Sequence, residues 1–227
     1  MAYQDQVWAA GLVAKVEAKV RELLAESPSC HDWDHTQRVW RTARHLAELE
    51  SADMLLVEVA ALMHDIGRVA ELRDQGRTCH ARLGAVMTPE VLAGLGVSCH
   101  AFIDAVAECV RSHRYRQRDG VGPQSLEAKI VYDADKLDSM GAIGIGRSFH
   151  FAGRVGARVH NSEEEALNSA SYSVEDSAYR EYLVKLRYLR DCILTPSGRA
   201  LAERRHQFMV DFFDEINREV RGEDLAT

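Results

Sequence analysis

The chain has 227 residues, 46% hydrophobic and 28% charged, a balance that fits a folded globular protein and excludes a disordered or collagen-like one. Its 28 Lys and Arg stand against 35 Asp and Glu, a formal charge of −7, so a broad basic surface for a nucleic-acid polymer is not expected. The cysteines Cys30, Cys79, Cys99, Cys109 and Cys192 form no C-x-x-C pair, which argues against a disulfide framework and a thiolate zinc site and for a reducing, cytoplasmic compartment. No uninterrupted apolar run of about 18 residues occurs, nor a basic leader followed by an apolar stretch, so neither a membrane span nor a targeting segment is expected.

Helical periodicity dominates from the start. Trp8, Leu12, Val16 and Val20 recur every four residues and predict a first helix that continues through Leu23 and Leu24 and ends near Pro28. A second helix opens at about Asp34 or His35, with the stripe Val39, Ala43, Leu46 and Ala47. A third carries Leu56, Val59, Ala60 and Met63 and stops at Gly67; all three read as amphipathic. The pattern returns at Leu83 to Met87, Phe102 to Val110, Tyr179 to Leu189 and Leu201 to Val220, the last with Phe208, Phe212 and Ile216 as its core-facing stripe. Lys129 to Tyr132 is the one strand-like run and is too short to build a sheet. The expectation is an all-α, compact bundle of at least seven helices. Gly94 to Ser98, Arg118 to Ser125 and Asn161 to Ser177 read as loops without linker character, so one domain spanning residues 1–227 is expected. Asn161 to Ser177 has the length of a substrate-ordered lid.

Ten histidines in such a chain need a reason. His64-Asp65 closes an apolar helix, which by itself fits a C-terminal cap. Three more histidines keep the same company: His35 lies four before Val39, His80 three before Leu83, and His113 three after Val110. Each of the four projects from the inward face of a helix, near an end, so they can converge on one interior site. A shared divalent ion such as Mn, Fe, Co, Ni or Zn would satisfy them together; separate core histidines, each bonded to a carbonyl, are the alternative. Carboxylates to accompany them come from Asp133-Ala134-Asp135-Lys136-Leu137-Asp138, where Asp135 and Asp138 share a helix face. Asp133 as an N-cap, with its neighbours favouring a first helical turn, is the plainer reading. His31 is a rival ligand and His150 is placed to approach the site, whereas His45, His100, His160 and His206 read as structural or solvated. Gly141, Gly144 and Gly146 lack the preceding strand of a dinucleotide loop and read as small residues for close helix packing.

His35, His64-Asp65 and Asp135, in that order, resemble the H…HD…D signature of the HD-domain metal-dependent phosphohydrolase superfamily. The stretches His31-Asp32-Trp33-Asp34-His35, Leu62-Met63-His64-Asp65-Ile66 and Asp133 through Arg147 look like a bacterial stand-alone subgroup containing nucleotide pyrophosphohydrolases, over roughly Ser27 to Arg218.

That resemblance implies an HD-domain-like fold with the metal site among its inner helices. It implies that His35, His64, Asp65 and Asp135 ligate one divalent metal, with Mg joining Mn, Fe, Co, Ni and Zn as candidates. His80 and His113 match positions that hold a second metal or face substrate phosphate. Arg68 departs from relatives that have an acidic residue soon after the HD pair, which leaves Glu71 and Asp138 beside Asp65 as candidate catalytic carboxylates. Lys136, Arg38 and Arg114 are candidates for substrate phosphate, because an acidic chain must supply positive charge locally; Arg111, Arg116 and Arg118 read with Arg114 either as an anion funnel or as a solvated face. The implied activity is hydrolysis of phosphate or pyrophosphate bonds in a small nucleotide, such as (d)NTP to (d)NMP. A phosphodiesterase acting on cyclic nucleotides or another phosphoester, and a non-catalytic metal-binding regulatory module, are the alternatives. The partner expected is therefore a small phosphorylated molecule, with a homodimer allowed.

Overall fold

The structure, a computed structural model, describes residues 3, 6–25, 32–74, 76–114 and 122–225. Among the described residues it is all-helical, in agreement with the sequence reading, and no helix is long and apolar enough to cross a membrane. His31, Cys30, Arg116, Arg118 and Pro28 lie outside the described residues; the first helix ends at Leu23, before the expected end near Pro28. Internal packing divides the chain into two compact units, Met1–Asp135 with Leu194–Gly198, and Lys136–Ile193 with Arg199–Thr227.

The first unit is assembled around one helix. α1 (Leu12–Leu23), α2 (Trp33–Glu50), α3 (Met54–Met63), α4 (Arg68–Arg73), α5 (His80–Gly94), α6 (His100–Ser112) and α7 (Leu126–Leu137) follow in chain order, and α3 packs against α1, α2 and α6. The stripes read from α1, α2 and α6 are the buried faces: Leu12, Val16 and Val20; Val39, Ala43, Leu46 and Ala47; Phe102, Val106 and Val110. α3 corrects the amphipathic reading. Leu55 to Val57 and Val59 to Met63 are all buried, because a helix flanked on several sides has no solvent face to keep polar. Its one carboxylate, Glu58, is held by Trp40 Nε1 at 3.1 Å and Arg44 Nε at 2.9 Å, both on α2.

Caps set where the helices begin. Asp32 accepts the His35 amide at 3.1 Å, so α2 starts at Trp33, slightly earlier than periodicity suggests, and His35 falls in its first turn. Asp53 caps α3 in the same way through Leu56. Between α3 and α4 the chain turns at His64 to Gly67 rather than continuing as helix to Gly67. Gly67 is required there: a Cβ would lie 2.3 Å from the His80 carbonyl oxygen and 2.9 Å from the Gly84 nitrogen. That close approach seats the start of α5 on the turn.

In the second unit, α8 (Gly141–Arg154), α9 (Glu163–Asn168) and α10 (Ala178–Val184) precede a 3-10 segment, Leu186–Cys192, and α11 (Pro196–Arg221) begins in the first unit and continues into the second. Three sequence readings change here. Asn161 to Ser177 is not all loop, since Ser162 and Glu165 form a reciprocal capping box that starts α9. The buried face of α11 is Ala202, His206, Met209 and Phe213; Phe208 is 50% exposed, because residues spaced strictly by four drift around a helix of 3.6 residues per turn. Of the three glycines only Gly141 serves helix-to-helix packing: at φ of +67° it lies against Arg205 of α11, where a Cβ would come within 3.0 Å of Cγ, whereas a Cβ on Gly144 would meet the Ser139 carbonyl oxygen at 2.3 Å and Gly146 faces open space.

Asp133 is not an N-cap either. It sits inside α7, fully buried, and its carboxylate accepts from the amides of Leu194 (2.8 Å) and Thr195 (2.7 Å) and from the Thr195 hydroxyl (2.7 Å). One charged acceptor thus anchors a segment some 60 residues away, and Thr195 Oγ1 in turn accepts from the Gly198 amide. Removing it strands buried donors, each worth about 1–3 kcal/mol. Asp133→Ala is expected to cost about 3 kcal/mol and lower the melting temperature by roughly 6–12 °C in a thermal unfolding scan, with Asp133→Asn falling between.

Candidate metal centre

Six of the residues singled out in the sequence come together in the first unit, all at or near helix ends. His35 is in the first turn of α2, His64 follows the last residue of α3 with Asp65 next to it, His80 begins α5, His113 follows α6, and Asp135 lies in the last turn of α7. All but Asp135 are buried to 3% exposure or less; the Asp135 side chain is 19% exposed.

Two clusters share Asp65. His35 Nε2 and His64 Nε2 are 3.3 Å apart, Asp135 Oδ1 is 3.5 Å from His35 Nε2, and Asp65 Oδ2 is 3.8 Å from both imidazole nitrogens. On its other side Asp65 Oδ1 is 3.4 Å from His80 Nε2 and 3.6 Å from His113 Nε2, which are 3.2 Å from each other. Donor atoms about 2.1 Å from one divalent ion stand about 3.0–3.4 Å apart, so the first cluster is close to the spacing such an ion imposes. His35, His64 and Asp135, and separately Asp65, His80 and His113, each gather ligand atoms able to hold an ion.

Hydrogen bonds on the far ring nitrogens fix how the imidazoles present themselves. His64 Nδ1 donates to the Ala61 carbonyl at 2.7 Å, His113 Nδ1 to the Val110 carbonyl at 2.6 Å, and His80 Nδ1 to Glu71 Oε2 at 2.8 Å. With the proton on Nδ1, each neutral ring turns an Nε2 lone pair toward the clusters. Burial pushes the pKa of His64, His80 and His113 below the usual histidine value, against the pull of neighbouring carboxylates. Nitrogen and oxygen donors without sulfur suit a borderline or hard divalent ion, and the chemistry of the set fits a metal.

The remaining candidates are placed differently. Glu71, on α4, is tied to His80 Nδ1 and at 2.6 Å to Arg68 Nη1; burial raises its pKa, but the His80 hydrogen bond and the Arg68 and Arg114 charges outweigh this and hold it at about 2. Arg114 is half-buried just after His113, with Nη1 3.0 Å from Cys79 Sγ and Nη2 3.6 Å from Glu71 Oε1. Arg38 is half-buried one turn after His35 on α2. Lys136, buried, follows Asp135 in α7 and belongs to the second unit. Asp138 lies beyond the end of α7, so it does not share a helix face with Asp135; within the second unit its carboxylate accepts from Arg147 at 2.9 Å. His150 is exposed on α8 in the second unit, and His45 and His100 are exposed on the first. His160 stacks on Tyr179 with centroids 5.3 Å apart and meets Asn217 Oδ1 at 2.7 Å, a structural role. Two features escaped the sequence reading, the Arg68 guanidinium set on Asp65 and Glu71 and the Cys79 contact with Arg114. The i,i+3 spacing of Arg68 from both carboxylates was the available signal for the first.

Residues 32–140 match the model of the HD domain. The chain is 35% identical over 215 residues to the Bacillus subtilis protein YpgQ, covering 94% of this chain and 96% of that one. The chain belongs to the HD-domain superfamily of metal-dependent phosphohydrolases. Among solved structures it is similar to Bacillus subtilis YpgQ in complex with ADP (TM-score 0.73, 30% identity, 96% of this chain and 100% of that one). It is equally close in fold to an HD-superfamily hydrolase of Bacillus thuringiensis (TM-score 0.73, 27% identity, 94% and 98% of the two chains). HD domains bind divalent metals, and the buried His and Asp clusters are a place for one.

The depressed histidines set a pH dependence for the metal-stripped protein. Below about pH 6.5 the unfolded chain takes up protons at these imidazoles while the folded state resists them, so acid favours unfolding. Glu71 works in a separate window, contributing stability that is lost only as pH falls from about 4.5 toward its folded value of about 2. Thermal melts after chelation are expected to show a melting temperature that drops as pH is lowered from 7.5 to 5.5. A flat or rising melting temperature across that range contradicts the assignment of neutral, buried rings.

Proposed function

We propose that this hydrolase cleaves phosphate or pyrophosphate bonds in small nucleotides, (d)NTP to (d)NMP among them, using one divalent ion held by His35, His64, Asp65 and Asp135. The observation that carries the reading is the approach of four ligand atoms from three different chain segments to within 3.3–3.8 Å of their neighbours in a buried place. The nucleotide class is supported by the relative that covers nearly the whole chain and whose crystal structure holds ADP.

A divalent ion, when bound, lowers the pKa of a water and neutralises phosphoryl oxygens. The protein supplies orientation. Asp65 is the carboxylate proposed to align the attacking water, since its two oxygens face different clusters. Glu71 is poorly suited to act as a base near neutrality, because a group with a pKa of about 2 holds a proton weakly. Arg114 and Arg38, half-buried and each within one turn of a cluster histidine in sequence, are proposed phosphate contacts, with Lys136 next to Asp135.

The test is a panel of NTPs, dNTPs, NDPs and cyclic nucleotides with product identification, using chelated protein resupplied with Mn, Mg, Co, Ni, Fe or Zn. Turnover of triphosphates is expected to vanish on chelation and return with metal. Asp65→Ala and His64→Ala are each expected to lower kcat/KM by about 10³-fold or more. Turnover restricted to cyclic nucleotides replaces the reading with the phosphodiesterase one, and metal binding without turnover of any substrate replaces it with a regulatory module.

A further inference from the structure

The second cluster poses a charge problem that the first does not. His80 Nε2, His113 Nε2 and Asp65 Oδ1 lie within 3.2–3.6 Å of one another, and with both Nδ1 atoms donating outward all three are acceptors. Three converging lone pairs in a buried place need a positive partner. The structure supplies one from the chain itself. Arg68 Nη2 is 3.0 Å from Asp65 Oδ1 and 3.0 Å from His80 Nε2, its Nε is 3.3 Å from Asp65 Oδ2, and its Nη1 is 2.6 Å from Glu71 Oε2.

Resting on the metal reading above, we propose that the Arg68 guanidinium, rather than a second metal ion, is the resident cation of the Asp65, His80 and His113 cluster, and that the centre is therefore mononuclear. An imidazole nitrogen has one in-plane lone pair. While His80 Nε2 accepts from Arg68 it has none left for a metal, and the second cluster is reduced to Asp65 Oδ1 and His113. A dication would also have to sit beside a guanidinium that is always charged. The arginine is pinned in place from both sides, since Asp65 is three residues before it, Glu71 is three after, and Glu71 is itself buried and bonded to His80. The same two-pronged bond from Nε and Nη2 orients Asp65, so Arg68 is a positioning residue for a carboxylate that also faces the first cluster.

The test counts ions rather than turnover. Chelated protein is reloaded with Mn2+, freed of excess by gel filtration, and measured for manganese per chain by mass spectrometry together with its electron paramagnetic resonance spectrum. The wild type and Arg68→Lys are expected to hold one ion with the spectrum of isolated Mn(II). Arg68→Ala is expected to hold two, with the altered spectrum of a coupled pair, and Arg68→Ala combined with His113→Ala is expected to return to one. Should the alanine variant fail to fold by circular dichroism, Arg68→Met keeps the length of the stem without its charge and carries the same expectation. Two ions in the wild type, or one in the folded Arg68→Ala or Arg68→Met variant, overturn the proposal and leave the metal reading standing. A wild type that takes up none overturns the metal reading, and this proposal falls with it.

Discussion

Everything at the centre of the first unit follows from acceptors crowded where water does not reach. Lone pairs on imidazole and carboxylate face one another at 3.2–3.8 Å, and such an arrangement is tolerated only if positive charge is held among them. The arrangement is enforced from outside. Each Nδ1 proton of His64, His113 and His80 is committed to an acceptor on the far side of its ring, so no tautomer shift relieves the crowding without breaking a buried hydrogen bond. The fold therefore stores its functional potential in second-layer partners: two helix carbonyls and one glutamate.

Those carbonyls reconcile two readings that seemed to compete. His64 bonds the carbonyl of Ala61, three residues back, and His113 does the same with Val110. Each ring is a C-terminal cap through Nδ1 and a cluster member through Nε2. The cap ends the helix at the point where the histidine must stand, and it chooses the tautomer that leaves the inward nitrogen bare. The turn at Gly67 completes the placement, because only a residue without Cβ lets the His80 carbonyl come so near, and His80 reaches Asp65 by way of that contact.

The sequence made the helices legible wherever a helix had one wet side. α1, α2 and α6 show their buried faces at the spacing of 3.6 because solvent covers the rest, and the H…HD…D order pointed to residues that stand together. Legibility failed where local pattern and tertiary context part. α3 is buried nearly all round, α11 buries the face beside its most conspicuous aromatic stripe, and α9 is short enough that its Ser162 to Glu165 capping box was its only mark. Asp133 was beyond any local reading, since its partners Leu194 and Thr195 are 61 and 62 residues away. Arg68 looked like a missing carboxylate because spacing reports which residues are neighbours along a helix, not which charge a cavity lacks.

An overall charge of −7 does not describe the charge an acidic substrate meets locally. The carboxylates of the first unit's centre do not present their full charge outward. Arg68 lies across Asp65 and Glu71, Arg114 approaches Glu71 at 3.6 Å, and Asp135 is the acidic member with appreciable exposure. In the proposed mononuclear centre the divalent ion would be held on the His35, His64 and Asp135 side of Asp65 and the guanidinium on the other, so positive charge would flank that carboxylate from both sides. The arginine keeps Asp65 aligned while adding a single positive charge where a second ion would add two.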